Sequence, residues 1–154
     1  MSGHIAQKLA ELQITLPPSQ APIANYVPYV VTGNIVVISG QLPMKDGKLD
    51  IGKVGKEFSI EQAQKIARQC GINMLSHLAA ACGGNLDRVT RCIRLGVFVN
   101  SADGFTDQPK VANGVSDLMV EIFGDAGKHA RAAVGVNELP LGAAVEVDGM
   151  FEIR

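Results

Sequence analysis

The residue best placed to do chemistry is Arg131, near the start of the stretch HARAAVGVNELP, His129 to Pro140. A guanidinium offers parallel N–H donors that match a carboxylate, and it stays charged at any cellular pH. The residues after it are small or β-branched, so a cleft beside it has room for a ligand, and excluding water there strengthens an ion pair. A solvated strand end is the competing reading of the same residue. His4, His77 and His129 are scattered without ligand spacing, so no metal site is expected, and no cofactor is implied. Cys70, Cys82 and Cys92 lack CxxC spacing and a visible activating partner, which suits buried thiols in a reducing compartment.

The elements that must position Arg131 follow from hydrophobic period. Ile5, Leu9 and Leu12 fall at i, i+4 and i+7, so residues 3–13 are expected to form a short amphipathic helix, stopped by TLPPSQAP. YVVTGNIVVISGQLP reads as a hairpin turning at Thr32-Gly33-Asn34, and MKDGKLDIGKVG as an Asp46-Gly47 turn leading to a further short strand. Ser59 and Gln62 have capping-box spacing ahead of a helical stripe of Ala63, Ile66, Ala67, Cys70, Met74, Leu78 and Ala81, which Gly83-Gly84 ends. From Val89 to Val99 the odd positions Ile93, Leu95, Val97 and Val99 give a strand with one core face. A second helix begins near Pro109 and buries Val111, Val115, Leu118 and Ile122. Two last strands, about 131–138 and 144–153, join around LPLG; if they pair as a hairpin, Gly135 lies opposite Glu146 and Arg131 is about 13 Å further along.

The expected order is therefore β-β-β-α-β-α-β-β, one α+β domain over residues 1–154 with an N-terminal helical extension (1–20) and a core (25–154). Two helices cover one face of a mixed or antiparallel sheet, and the N-terminal helix is free to cap a sheet edge or an interface. The other face, read as carrying Ala133, Gly135 and Gly149 beside Arg131, Glu146, Asp148 and Glu152, suits packing against another copy.

Composition narrows the partners. Apolar residues make up 47% and charged residues 19% of 154, enough for a core and few charges for a free surface. With 14 basic and 15 acidic residues and no basic run, the chain lacks the stripe that phosphate neutralisation requires, so nucleic acid is not an expected partner. No stretch approaches 18 apolar residues and no leader-like segment is present, so a cytoplasmic protein without membrane contact is expected.

GNIVVISGQLP, LDRVTRCIRLGVFVNSADGF and HARAAVGVNELPLGAAVEVDGMFEI together resemble the RidA/YjgF (UK114, L-PSP) family, over about residues 25–154. ANYVP, NGVSDLMVEIFG and the extended N-terminus are more similar to the family's longer branch than to its archetypal deaminases. The resemblance implies a chorismate-mutase-like fold, a homotrimer, and clefts between subunits that take 2-imino or 2-enamino acids. It places Arg131 on the substrate carboxylate, Gly40 and Tyr26 beside the ligand, and Glu146 in the last strand, with Glu146 or Tyr26 moving protons for hydrolysis. Salt-bridging for Glu146, plain packing for Tyr26 and an unusual backbone shape for Gly40 are the competing readings. The family's frequent Cys two residues after the arginine is Ala133 here, and its ligand-contacting Asn falls on Ser116, with Asn113 one turn away. A hydrolase of imino acids, a non-catalytic binder of 2-oxo acids and related small carboxylates, and an endoribonuclease or translation inhibitor are the functions in play. The balanced charge counts against the last.

Overall fold

The structure, a computed structural model, describes residues 3–19 and 25–154; the end of the TLPPSQAP stretch lies outside them. One five-stranded mixed sheet carries two long helices on a single face. In chain order the elements are α1 (His4–Glu11), β1 (Tyr29–Thr32), β2 (Ile35–Gln41), α2 (Ile60–Ala81), β3 (Val89–Asn100), α3 (Gln108–Phe123), β4 (Ala130–Val136) and β5 (Val145–Ile153). The strands lie side by side as β1-β2-β5-β3-β4, which leaves β1 and β4 as edges.

Local signals account for most of these elements. The β1–β2 hairpin turns through Gly33 and Asn34, with Gly33 at φ 59°, a left-handed conformation that costs glycine least. Ser59 opens α2 with both arms of the capping box, Gln62 N–H donating to Ser59 Oγ (3.2 Å) and Ser59 N–H to Gln62 Oε1 (2.8 Å). The apolar stripes of α2 and α3 meet the sheet in one core around Met74, Leu78, Leu118 and Phe151, all fully buried. The two helices approach closely at Gly71 and Gly114: a Cβ on Gly114 would lie 2.7 Å from the carbonyl carbon of Gln64 and nearer still to its oxygen.

Four expectations need correction. The segment after Asp46-Gly47 forms no full strand, only isolated bridges such as Ile51 with Ala143 and Val54 with Ser101. The last two strands are not a hairpin: β3 lies between them, parallel to β4 and antiparallel to β5. A strand, a 16-residue helix and a strand make a crossover unit, so β4 returns beside β3 instead of folding back on β5. In β3 the register shifts between Cys92 and Arg94, so Cys92 is buried where Ile93 was expected, and only Leu95, Val97 and Val99 keep the period-two core face. Lastly, α1 does not lie along a sheet edge; it lies against α3 and the turn at Leu86–Arg88, burying Ile5 and Leu9. It has no cap of its own, and Asp87 supplies one, its Oδ2 accepting from His4 N–H (3.0 Å) and its Oδ1 from Ile5 N–H (2.8 Å).

The faces of the sheet also differ from the sequence reading. Leu95, Val97 and Val99 face the helices and pair with Arg131, Ala133 and Gly135 on β4 and with Gly149, Val147 and Val145 on β5. Ala133, Gly135, Gly149 and Arg131 therefore belong to the helix-covered face. The open face carries Glu146, Asp148 and Met150 of β5 with Ala132 and Val134 of β4, and it leaves Val30, Val37 and Val134 at 52%, 39% and 45% exposure. A sheet face of exposed valines remains; the small residues assigned to it do not.

Candidate functional site

Arg131 enters from the edge strand β4, one residue into it, and its guanidinium turns towards α3. There Nη1 donates to Asn113 Oδ1 (2.9 Å) and Ser116 Oγ (3.0 Å), and Nη2 donates to the carbonyl of Pro109 (3.1 Å). Pro109, Asn113 and Ser116 stand at i, i+4 and i+7, one stripe along the helix. Val111, Val115 and Leu118 face the core, so this stripe runs beside the buried one and looks towards the sheet edge. Asn113 and Ser116, which the sequence left as alternative ligand contacts, both accept from the arginine instead. The side chain is exposed, yet it is no loose strand end: three of its five N–H groups are engaged. Among the described residues, the Nε N–H and one on Nη2 have no partner, which leaves two donors for an anion.

Behind Ser116 stands His129, a residue the sequence reading dismissed with the other histidines. Its Nε2 lies 2.8 Å from Ser116 Oγ and its Nδ1 2.6 Å from the carbonyl of Gly127. His129 lies just before β4, and its partners Gly127 and Ser116 carry no sequence signal that would have joined it to Arg131.

Glu146, Gly40 and Tyr26 lie elsewhere. Glu146 is half-buried on the open face, paired in register with Phe98, and its carboxylate lies over Gly40 of β2. Burial pushes its carboxyl above the usual range, and Asp148 on the same strand face pushes the same way. Asp148 is itself 3.7 Å from Arg94. Gly40 sits in the register shift between Ile38 and Gln41 without a left-handed backbone, and a Cβ there would sit 2.9 Å from Glu146 Cδ. Tyr26, 63% exposed, shares with Gly40 the wall of a cavity of about 970 Å³ between α2, the loop at Met44–Gly47 and the chain after α1.

The site residues thus fall into two groups. Arg131 and Gly149 both pair with Leu95, from the two sides of β3, and Glu146 is three residues from Gly149 on the far side of the sheet. Two strand spacings across and three residues along separate the Cα atoms of Arg131 and Glu146 by about 14 Å, on opposite faces. Within one chain no small ligand touches both.

The remaining chemistry-bearing residues are quiet. Cys70, Cys82 and Cys92 are buried, and burial pushes the Cys92 thiol up to about 12. No group of three His, Cys, Asp or Glu side chains among the described residues is arranged to hold a metal, and no helix among them is long and apolar enough to cross a membrane.

Comparison with known proteins agrees with this architecture. The model of the family described as "YjgF/chorismate mutase-like, putative endoribonuclease" matches residues 6–152. Protein TCP17 of Trypanosoma cruzi is 48% identical over 99% of this chain and 96% of its own length. A 2-iminobutanoate/2-iminopropanoate deaminase of Dermatophagoides farinae is 30% identical over 92% of this chain and 95% of its own. The crystal structure of Atu1372 from Agrobacterium tumefaciens, a protein of unknown function, superposes with a TM-score of 0.90 at 43% identity, covering 97% of this chain and 93% of the other.

Proposed function

Because this chain belongs to the YjgF/chorismate mutase-like family, we propose that it hydrolyses the C=N bond of small 2-imino acids, or of their 2-enamino tautomers, in clefts that neighbouring copies of a homotrimer complete. The observation that carries the proposal is the state of Arg131. Its guanidinium is fixed by α3 at three N–H groups and keeps two for a carboxylate. With the substrate carboxylate held there, water adds to the C=N carbon, ammonia leaves, and a 2-oxo acid remains. A carboxyl group with raised affinity for protons suits the transfers at nitrogen and water, and Glu146 is such a group. The separation of Arg131 from Glu146 favours a second copy supplying one of them, and the exposed valines of the open sheet face give that copy an apolar surface to cover. The deaminase of D. farinae, at 30% identity, supports the reaction class.

A second reading has its own observation. Ala133, on the face of Arg131 and two residues on, offers no polar group, and the Ser116 and His129 groups beside the arginine are engaged in holding it, so this half is better fitted to binding than to proton transfer. A protein with that half alone is a receptor for 2-oxo acids. The RNA cleavage in the family's description finds no support in a chain with net charge −1 and no basic stripe.

The test is complementation. Arg131→Ala and Glu146→Gln are each expected to abolish the accelerated decay of 2-iminobutanoate generated by an amino-acid oxidase. Subunits of the two variants, unfolded and reassembled together, are expected to recover about a quarter of wild-type activity, because a quarter of randomly formed clefts inherit both intact residues. Wild type without activity but stabilised against heat by 2-oxobutanoate selects the receptor. Wild type with neither property sinks both readings.

A further inference from the structure

Arg131 owes its orientation to a chain of polar groups that begins outside the site. A backbone carbonyl only accepts, so the 2.6 Å contact of Gly127 O with His129 Nδ1 places the ring proton on Nδ1. Nε2 is then a lone pair, and the 2.8 Å contact with Ser116 is a hydrogen bond donated by the serine hydroxyl. With its proton committed to His129, Ser116 turns a lone pair to Arg131 Nη1 at 3.0 Å. Asn113 Oδ1 takes the other Nη1 N–H and the Pro109 carbonyl takes one on Nη2. With the ring neutral, the links from Gly127 to Ser116 run in one direction, and Arg131 can only donate to its three acceptors.

We propose that His129, acting through Ser116, is a positioning residue of the anion site, fixing the Arg131 guanidinium so that its Nε and Nη2 donors, and not Nη1, receive the carboxylate. The proposal rests on the reading of Arg131 as a carboxylate-binding residue and adds a residue to it. Its physical basis is what Ser116 does without the imidazole. A serine inside a helix ordinarily donates to the carbonyl four residues back, here that of Ala112. Once the hydroxyl swings there, Nη1 loses one of its two acceptors and the guanidinium is free to rotate. A rotating guanidinium still attracts an anion but presents parallel donors for less of the time.

The test uses the full chain and 2-oxobutanoate as probe, with Kd from titration calorimetry. His129→Phe removes the acceptor and Ser116→Ala the relay; each is expected to raise Kd about tenfold, the scale of losing one hydrogen bond to a charged group. His129→Gln, whose side-chain carbonyl can accept from Ser116, is expected to recover most of that loss. The double variant His129→Phe/Ser116→Ala is expected to bind no worse than Ser116→Ala alone, since the two residues act in series. A merely structural histidine would not show this non-additivity or the rescue by glutamine.

Penalties that multiply in the double variant overturn the proposal, as does an unchanged Kd in His129→Phe while Arg131→Ala abolishes binding. The latter result leaves the Arg131 reading intact. If the probe binds equally to wild type and Arg131→Ala, the site reading itself has failed and this inference falls with it. Should His129→Phe not fold, Ser116→Ala and His129→Gln decide: a tenfold loss in the first with near wild-type binding in the second supports the relay, and any other pair of results overturns it.

Discussion

Replacing Gly40 by alanine separates two roles that a glycine in a strand can have. Its backbone is not left-handed, so alanine meets no conformational penalty there. The added methyl would lie 2.9 Å from Cδ of Glu146 and 3.3 Å from Cγ, and closer than either to Oε2. Ordinary contact needs about 3.5 Å, so the carboxylate must retreat by about 1 Å. That retreat is inexpensive, because the group is the end of a flexible side chain, and the cost to folding is expected to stay within about 0.5 kcal/mol. Catalysis is less forgiving, since a reacting group displaced by that distance costs up to about a hundredfold. Gly40→Ala is therefore expected to melt within about 2 °C of wild type while losing most imine hydrolysis. Binding of 2-oxobutanoate at Arg131 should be retained. Hydrolysis at the wild-type rate would refute the assignment of Glu146 as the proton-transfer group, and a large loss of stability would refute the argument that only a flexible carboxylate stands in the way.

Two further outcomes test the scaffold. Gly114→Ala pits a helix-propensity gain of about 1 kcal/mol against a methyl driven into the backbone of Gln64, and such overpacking costs about 1–3 kcal/mol. The clash should win by about 1 kcal/mol, lowering the melting temperature by about 2–4 °C and breaking the 2.8 Å bond from Gln64 Nε2 to the Lys110 carbonyl; a melting temperature at or above wild type would show that the helices part freely. Asp87→Ala should expose α1 to hydrogen exchange at neutral pH with the rest of the chain unchanged. In wild type the hydrogen bonds from Ile5 and His4 hold the Asp87 carboxyl below its ordinary range, so the anchor is complete above about pH 4 and fails as the pH falls further, and protection of residues 4–11 at neutral pH in the variant would contradict this.

Much of the fold could be read from the sequence because α2, α3 and most of β3 are strongly periodic and their caps are local. Ser59 and Gln62, or Leu95, Val97 and Val99, need no knowledge of distant partners. Pairing does need it. The LPLG turn suggested a hairpin by proximity alone, whereas the crossover through α3 decides where β4 lies. Faces failed for a related reason: RAAVGV has small or branched residues at both parities, so period two cannot tell which side is covered. The same ambiguity misplaced Ala133, Gly135 and Arg131 together. Of the site, Arg131 was legible as a lone charge whose role the family resemblance pointed to, and Asn113 and Ser116 were named through that resemblance alone. His129 was not, because its function depends on Gly127 and Ser116, neither of which announces a partner.

The corrected faces make the two halves of the site physically unlike. Arg131 is held by three acceptors of α3, so the hydrogen bonds that orient it are all made within a single copy. Glu146 stands on the uncovered face, where the burial that raises its proton affinity is only half achieved and whatever covers the valines around it will deepen. On the function proposed above, recognition of the anion belongs to the folded chain, and the strength of the proton-transferring group belongs to the assembly. That proposal then requires an isolated copy to bind a reactive acid but turn it over poorly, and it ties chemistry to the event that excludes water from the open sheet face.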